Sequence, residues 1–131
     1  MCGIVGILAK TKLGFYQAQV SVFKEMLYAD QLRGKDGTGI FYNDGNKIRT
    51  LKSPISSSKF LHDPLVVKAM ESLSKDSLFA VGHNRSATIG EHNHENTHPH
   101  RGKHITLIHN GTLRSHKELA DVDSDSLAIC K

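Results

Sequence analysis

The residue with the most evident chemistry is a cysteine at the second position, directly after the initiator methionine. Its small side chain permits removal of Met1, which would leave Cys2 with a free α-amine. Such an amine has an unperturbed pKa of about 7.7–8 and the thiol one of about 8.5, so the amine can act as general base for its own thiol. The pattern indicates nucleophilic attack on a carbonyl group. Burial of a small residue at the start of a strand is the alternative.

Two short motifs could supply partners for such a nucleophile. Segment Gly82–Thr88 places Arg85 at the end of an apolar stretch, where its planar fork suits a carboxylate; an ordinary solvated loop is the alternative. Within His109–Thr112, the side-chain amide of Asn110 and the N–H of Gly111 could both point at one oxygen and stabilise an oxyanion. The same Asn-Gly pair is also a strong turn signal.

A third motif is acidic and lies near the last residues. Asp121, Asp123 and Asp125 alternate with Val122 and Ser124. One of these carboxylates could bind an ammonium group, whereas a charged turn before a helix is the simpler interpretation.

Histidines crowd one region of the chain. Seven of the nine are His83, His92, His94, His98, His100, His104 and His109. With neighbouring glutamates they could bind zinc, but no pair with helical metal-ligand spacing lies on a predicted helix, and the region has no cysteine. We therefore expect no metal site and no cofactor.

Length and composition narrow the class of protein. A chain of 131 residues forms one domain, and a net charge of +4 without an arginine-rich block or any tryptophan does not favour nucleic acid as a partner. No apolar run approaches the roughly 18 residues that a membrane span needs. Two cysteines exclude a disulfide framework, which favours a reducing, cytoplasmic location, and no role is assigned to Cys130.

The apolar patterns predict the elements that must position these motifs. Expected strands are Gly3–Ala9, Gly39–Asn43, Asn46–Lys52, Leu78–His83 and Ile105–Ile108, with Asp44-Gly45 as a hairpin turn. Expected helices are Phe15–Leu32, Leu65–Leu73 after Pro64, Ser115–Ala120, and a last one N-capped by Ser124 or Asp125. Ser56–Phe60 is expected to be a loop or short helix, and Gly90–Lys103 a long polar loop. The first helix should bury Phe15, Ala18, Val22, Met26 and Leu27. The order predicts an α+β fold with antiparallel sheet.

Taken in order, the motifs resemble those of the class II glutamine amidotransferase domain, a member of the N-terminal nucleophile hydrolases. The matching segments are MCGIVGI at the start, RGKDGTG at 33–39, GHNRSATIG at 82–90, NTHPH at 96–100, HNG at 109–111 and DSDS at 123–126. Each is weak alone, but together they follow the family's order across nearly the whole chain. Gly37 stands where the family usually has serine, and Ile89 where several members have a histidine.

The resemblance implies a role for each matching residue. Cys2 would attack the side-chain amide of glutamine, and Asn110 with Gly111 would stabilise the oxyanion. Water would then release glutamate and ammonia. The substrate-binding residues implied are Arg85 and Thr88 for the α-carboxylate, Asp125 for the α-ammonium, Arg33 at the mouth of the site, and His98.

The family fold implied is an αββα sandwich of antiparallel sheets. We expect it to be incomplete at the C-terminus, because the family adds further strands and helices after the Asp125 motif. Residues 1–131 would be the glutamine-hydrolysing domain without a synthetase domain, as in short phage-type members, so a separate synthetase partner would use the ammonia. Unpaired sheet edges would favour a homo-oligomer. The alternatives are an inactive relative that acts as a binding module and another N-terminal cysteine amidohydrolase.

Overall fold

The computed structural model describes residues 1–10, 13–45, 47–87 and 91–131, and for 74–76 it describes the backbone alone. Its strands are β1 (Gly3–Leu8), β2 (Gly37–Asp44), β3 (Lys47–Ser53), β4 (Phe79–Arg85), β5 (His100–Arg101) and β6 (Thr106–Leu107). Its helices are α1 (Gln17–Ala29), α2 (Ser57–Phe60), α3 (Pro64–Asp76), α4 (His116–Leu119) and α5 (Asp125–Cys130), and a 3₁₀ turn spans Asp30–Arg33. In this part of the chain, no helix is long and apolar enough to cross a membrane.

The first four strands form one antiparallel sheet with the order β1-β4-β2-β3. In its register, Gly3 of β1 lies opposite Asn84 of β4, and Gly37 of β2 lies opposite Arg85. The start of β1, the start of β2 and the end of β4 therefore meet at one end of the sheet. This arrangement brings Cys2 beside Arg85, although 82 residues separate them in the sequence.

Helices α1 and α3 cover one face of this sheet and build the main core. Its fully buried side chains include Phe23, Leu27, Ile40 and Leu73. Gly82 makes room for α1, because a Cβ at this position would lie 2.8 Å from Leu27 Cδ1.

The set of residues that we expected α1 to bury is wrong at two positions. Ala18 is exposed and Val22 is 50% exposed, whereas Val20 and Phe23 are buried in their place. The helix also ends at Ala29, since the next residues tighten into the 3₁₀ turn.

A two-stranded antiparallel ribbon of β5 and β6 lies beyond the opposite face, and α5 packs against it. The His98 carbonyl oxygen and the Pro99 ring approach β2 so closely that a Cβ at Gly39 would collide with them. The layers thus follow the order α, β, β, α, and the predicted α+β class with antiparallel sheets is confirmed. The expected loop Gly90–Lys103 is wrong at its end, because His100 and Arg101 pair with β6.

Candidate active site

The Cys2 thiol lies at the end of the sheet, half-buried against the residue that follows β4. Its Sγ is 3.4 Å from the backbone nitrogen of Ser86, which donates a hydrogen bond to it, and 3.6 Å from the Ser86 carbonyl oxygen. Arg33 holds the same residue from the other side, since its Nε donates to the Cys2 carbonyl oxygen at 3.1 Å. Main-chain contacts with Ser86 therefore hold the sulfur, and the Arg33 side chain holds the Cys2 backbone.

The segment 33–39 forms the support beneath this end of β4. The amide N–H of Asp36 donates to the Arg85 carbonyl, and Asp36 Oδ2 accepts from the Ala87 N–H at 2.7 Å. Gly34 allows the chain to pass directly under Arg85, because a Cβ there would overlap the Arg85 carbonyl group. This sequence motif thus acts by positioning the residues around Arg85.

Arg85 is only 3% exposed, and its guanidinium faces the same cavity as Cys2. One Nη1–H donates to the carbonyl oxygen of Glu91 at 3.0 Å. Burial lowers the pKa of this guanidinium, although negative charge on Cys2, Asp36 and Asp125 acts in the opposite direction. A buried cation close to the thiol would attract an anionic substrate group to this place.

Asp125 supplies the opposite charge from the first turn of α5. Its Oδ2 accepts from the Leu113 N–H at 2.8 Å, and its Oδ1 accepts from the N–H of Ser126 at 2.7 Å and from Ser126 Oγ at 3.2 Å. Burial alone would raise the pKa of this carboxyl, but the hydrogen bonds and nearby His109 outweigh it, so the pKa is lowered. The carboxylate is therefore held in its charged form.

The turn 109–111 is exposed at its tip. The imidazole of His109 lies over Gly111, where a Cβ would be 2.5 Å from His109 Nε2. Gly111 lines the cavity, whereas Asn110 is exposed and does not belong to the lining in the part of the chain that is described. The predicted oxyanion pair is thus only half assembled at the thiol.

Three buried histidine rings form a cluster at the cavity, and one of them, His98, belongs to its lining. His98 lies between His83 and His100, with ring centroids 4.2 and 4.5 Å away and ring planes inclined at 45° and 62°. Among the described residues, neither ring nitrogen of His98 has a hydrogen-bond partner. Burial, with a smaller contribution from the neighbouring rings, lowers the pKa of His98 to about 2, so the ring is neutral at physiological pH.

One narrow cavity gathers most of the predicted residues. Its lining consists of Cys2, Arg85, Ser86, His98, His109, Gly111, Ser124, Asp125 and Ser126. Arg33 lies next to it through its bond to Cys2, and Thr88 falls outside the described residues. The sequence interpretation missed Ser86 and Ser126 as site residues, although both belong to motifs that it quoted. Across the described residues, no group of three or more histidine, cysteine or acidic side chains is arranged to hold a metal ion.

Comparison with known proteins identifies the family to which the chain belongs. The chain belongs to the class II glutamine amidotransferases, since the model of that family, "Glutamine amidotransferases class-II", matches residues 1–126.

Relatives include the glutamine–fructose-6-phosphate aminotransferases (isomerizing) of three organisms. The chain is 33% identical to that of Staphylococcus epidermidis over 123 residues, which is 91% of this chain and 18% of the relative. It is 34% identical to that of Sulfolobus acidocaldarius over 125 residues (92% and 19%), and 35% identical to that of Staphylococcus aureus over 123 residues (91% and 18%). The chain thus spans about a fifth of the length of these relatives.

Proposed function

We propose that residues 1–131 form a glutamine-hydrolysing domain that uses Cys2 as its nucleophile. The observation that supports this most is one cavity lined by the Cys2 thiol, the Arg85 guanidinium and the Asp125 carboxylate. A free amino acid carries one carboxylate and one ammonium group, and this cavity offers one partner for each. The side-chain amide of a bound glutamine would then reach the Cys2 thiol, which lines the same cavity.

The reaction requires loss of Met1, because only then does Cys2 carry an amine instead of an amide nitrogen. The amine takes the thiol proton, and the sulfur attacks the amide carbon of glutamine. Collapse of the tetrahedral intermediate passes that proton to the leaving nitrogen and releases ammonia, leaving a glutamyl thioester. Water then attacks the thioester, with the same amine as base, and releases glutamate and the thiol.

Two local movements accompany substrate binding in this proposal. The cavity has a volume of about 20 Å³, close to the space of one water molecule, so it must widen to admit glutamine. The Asn110 side chain must turn inward, so that its amide joins the Gly111 N–H on the oxyanion. Both movements involve the exposed turn 109–111 and leave the sheet unchanged.

The acceptor of the ammonia is proposed to be bound outside residues 1–131, on a synthetase partner or domain. The relatives are named for transfer of nitrogen to fructose 6-phosphate, and the chain corresponds to about a fifth of their length. In this proposal residues 1–131 release the ammonia, so the choice of acceptor would lie with the partner.

The test measures ammonia and glutamate released from glutamine by the chain after removal of Met1. Equimolar release by the wild type, and none by Cys2→Ala, is the expected result. A variant that retains Met1 should also be inactive, because its nitrogen at Cys2 cannot accept a proton. Equal release by wild type and Cys2→Ala, or none by either, would refute the proposal.

The exposed position of Asn110 favours one second candidate, a glutamine-binding module that does not hydrolyse its ligand. Such a module would bind glutamine in calorimetry, with affinity lost in Asp125→Asn, while releasing no ammonia. An intact mass that still includes Met1 would favour it further.

A further inference from the structure

We propose that His109 and Ser126 are positioning residues, which hold the oxyanion turn and the ammonium-binding carboxylate together as one unit. The inference rests on the proposed function for its catalytic consequence, but its structural part stands on contacts in the chain. Ser126 Oγ lies 2.9 Å from His109 Nδ1 and 3.2 Å from Asp125 Oδ1. It therefore connects the turn 109–111 with the carboxylate at the start of α5.

The chemistry of these groups indicates the direction of each hydrogen bond. A carboxylate only accepts, so the Ser126 hydroxyl donates its single proton to Asp125. The hydroxyl oxygen then accepts a proton carried on His109 Nδ1, an arrangement that the Asp125 charge 3.9 Å away also favours. This tautomer is inferred from the network, and it leaves Nε2 over Gly111.

The backbone of His109 has a second anchor in the sheet. Its carbonyl oxygen is 3.3 Å from Nε2 of His83, and since a carbonyl only accepts, His83 carries its proton on Nε2. The residue is thus fixed to β4 through its main chain and to α5 through its ring.

The carboxylate also holds the chain just beyond the turn, through the bond from the Leu113 N–H to Asp125 Oδ2. His109 is therefore tied to Ser126 and Leu113 to Asp125, which are adjacent residues of α5. Because the His109 ring contacts Gly111, the position of the ring determines where the Gly111 N–H, the predicted oxyanion donor, lies. Loss of the serine hydroxyl should loosen the turn without removing either charged group that binds substrate.

This arrangement predicts a specific split in the kinetics of glutamine hydrolysis. The oxyanion exists only after attack, so a misplaced donor lowers kcat, whereas binding through Arg85 and Asp125 keeps KM nearly constant. Complete loss of an oxyanion donor costs about 10²–10³ in kcat, and a displaced donor loses only part of that. For Ser126→Ala we expect kcat to fall about tenfold, with KM changed less than about twofold.

Two variants of His109, each with an amide side chain, distinguish the roles of its two ring nitrogens. In His109→Asn the amide nitrogen lies near the position of Nδ1 and can still donate to Ser126, so kcat should stay within about threefold of the wild type. In His109→Gln the amide reaches the position of Nε2, and kcat should fall as in Ser126→Ala. The double variant His109→Gln/Ser126→Ala should be no worse than either single one, because both remove the same connection. Exposed Ser21→Ala and His62→Ala are the matched controls, with unchanged kcat.

Equal losses in His109→Asn and His109→Gln, additive losses in the double variant, or a change confined to KM would overturn the proposal. If the wild type releases no ammonia, the proposed function fails, and amide hydrogen exchange at Leu113 then decides the inference. Faster exchange in Ser126→Ala than in Ser126→Thr, which keeps the hydroxyl, would support the connected unit. Equal exchange in both would refute it.

Discussion

Replacement of Asp125 by asparagine tests the central electrostatic feature of the site. The substitution keeps the shape of the side chain but removes its charge and half of its accepting capacity. The carboxylate accepts from the N–H groups of Leu113 and Ser126 and from the Ser126 hydroxyl. An amide has one accepting oxygen, so in either orientation its NH₂ group faces a buried donor.

The size of the loss follows from these contacts. A buried N–H left without an acceptor costs about 1–3 kcal/mol, and we take about 2 kcal/mol for the one lost at Asp125. With an unfolding entropy of about 2.1 cal/mol/K per residue, a chain of 131 residues has about 0.28 kcal/mol/K. The melting temperature should therefore fall by about 7 °C. Loss of the charge that is proposed to bind the substrate ammonium should lower kcat/KM about a hundredfold, since hydrogen bonds to charged groups are worth about 1.5–3 kcal/mol.

The assay compares Asp125→Asn with Asp123→Asn by thermal unfolding and by glutamine hydrolysis. Asp123 is exposed and two residues away, so its variant loses the same charge without a buried contact, and its melting temperature should change by less than about 2 °C. The lowered pKa of Asp125 means that its contribution is present above the unfolded pKa near 3.9 and is lost as pH falls through the folded value. The difference in melting temperature between wild type and Asp125→Asn should thus shrink below about pH 4. Equal shifts in both variants, or a difference that is constant down to pH 3, would refute the reasoning.

Three further substitutions probe other contacts of the site. Arg85→Lys should raise the KM for glutamine about tenfold or more, because an ammonium cannot reproduce a planar, two-pronged contact with a carboxylate; an unchanged KM would show that the guanidinium is not the carboxylate partner. Gly111→Ala places a Cβ 2.5 Å from His109 Nε2, so kcat should fall at least about tenfold in steady-state assays while the far-UV spectrum stays native. Arg33→Ala removes the hydrogen bond to the Cys2 carbonyl, which is worth about 1 kcal/mol. The rate of thiol alkylation, or of glutamine hydrolysis, should therefore fall about fivefold.

The elements of the fold could be predicted where a local pattern determines them. The β2–β3 hairpin and the helix opened by Pro64 follow from local residue preferences, and both are confirmed. The turn predicted at Asp44-Gly45 is wrong by one residue, because Asp44 belongs to β2 and pairs with Lys47. Strand β5 could not be predicted, because its two residues are extended only through pairing with β6.

The buried face of α1 illustrates a second limit. Two apolar stripes run along this helix, and periodicity alone does not decide between them. The choice depends on a distant residue, Gly82, whose missing side chain leaves space for Leu27 and Phe23 against the sheet. Which face of the helix is buried can therefore be decided only from the packing of the helix against the strand.

Five of the residues that the ordered motifs predicted for the site line one cavity, namely Cys2, Arg85, His98, Gly111 and Asp125, whereas Asn110 does not. The contacts that support these residues could not be predicted from the sequence, because they join backbone and side-chain atoms of segments that are far apart in the chain. The bond from the Arg33 side chain to the Cys2 carbonyl is one such contact. The link that Ser126 makes between His109 and Asp125 likewise depends on the fold of the turn at 109–113.

The three clustered histidines, His83, His98 and His100, make unfolding of this chain a proton-consuming reaction. Burial lowers the pKa of His83 and His100 to about 4 and that of His98 to about 2, whereas unfolded histidines titrate near 6.5. Below about pH 6 the unfolded chain therefore binds protons that the folded chain does not, and mild acid favours unfolding. Calorimetric unfolding at pH 5 should accordingly give heats that depend on the ionisation enthalpy of the buffer, since the buffer supplies those protons.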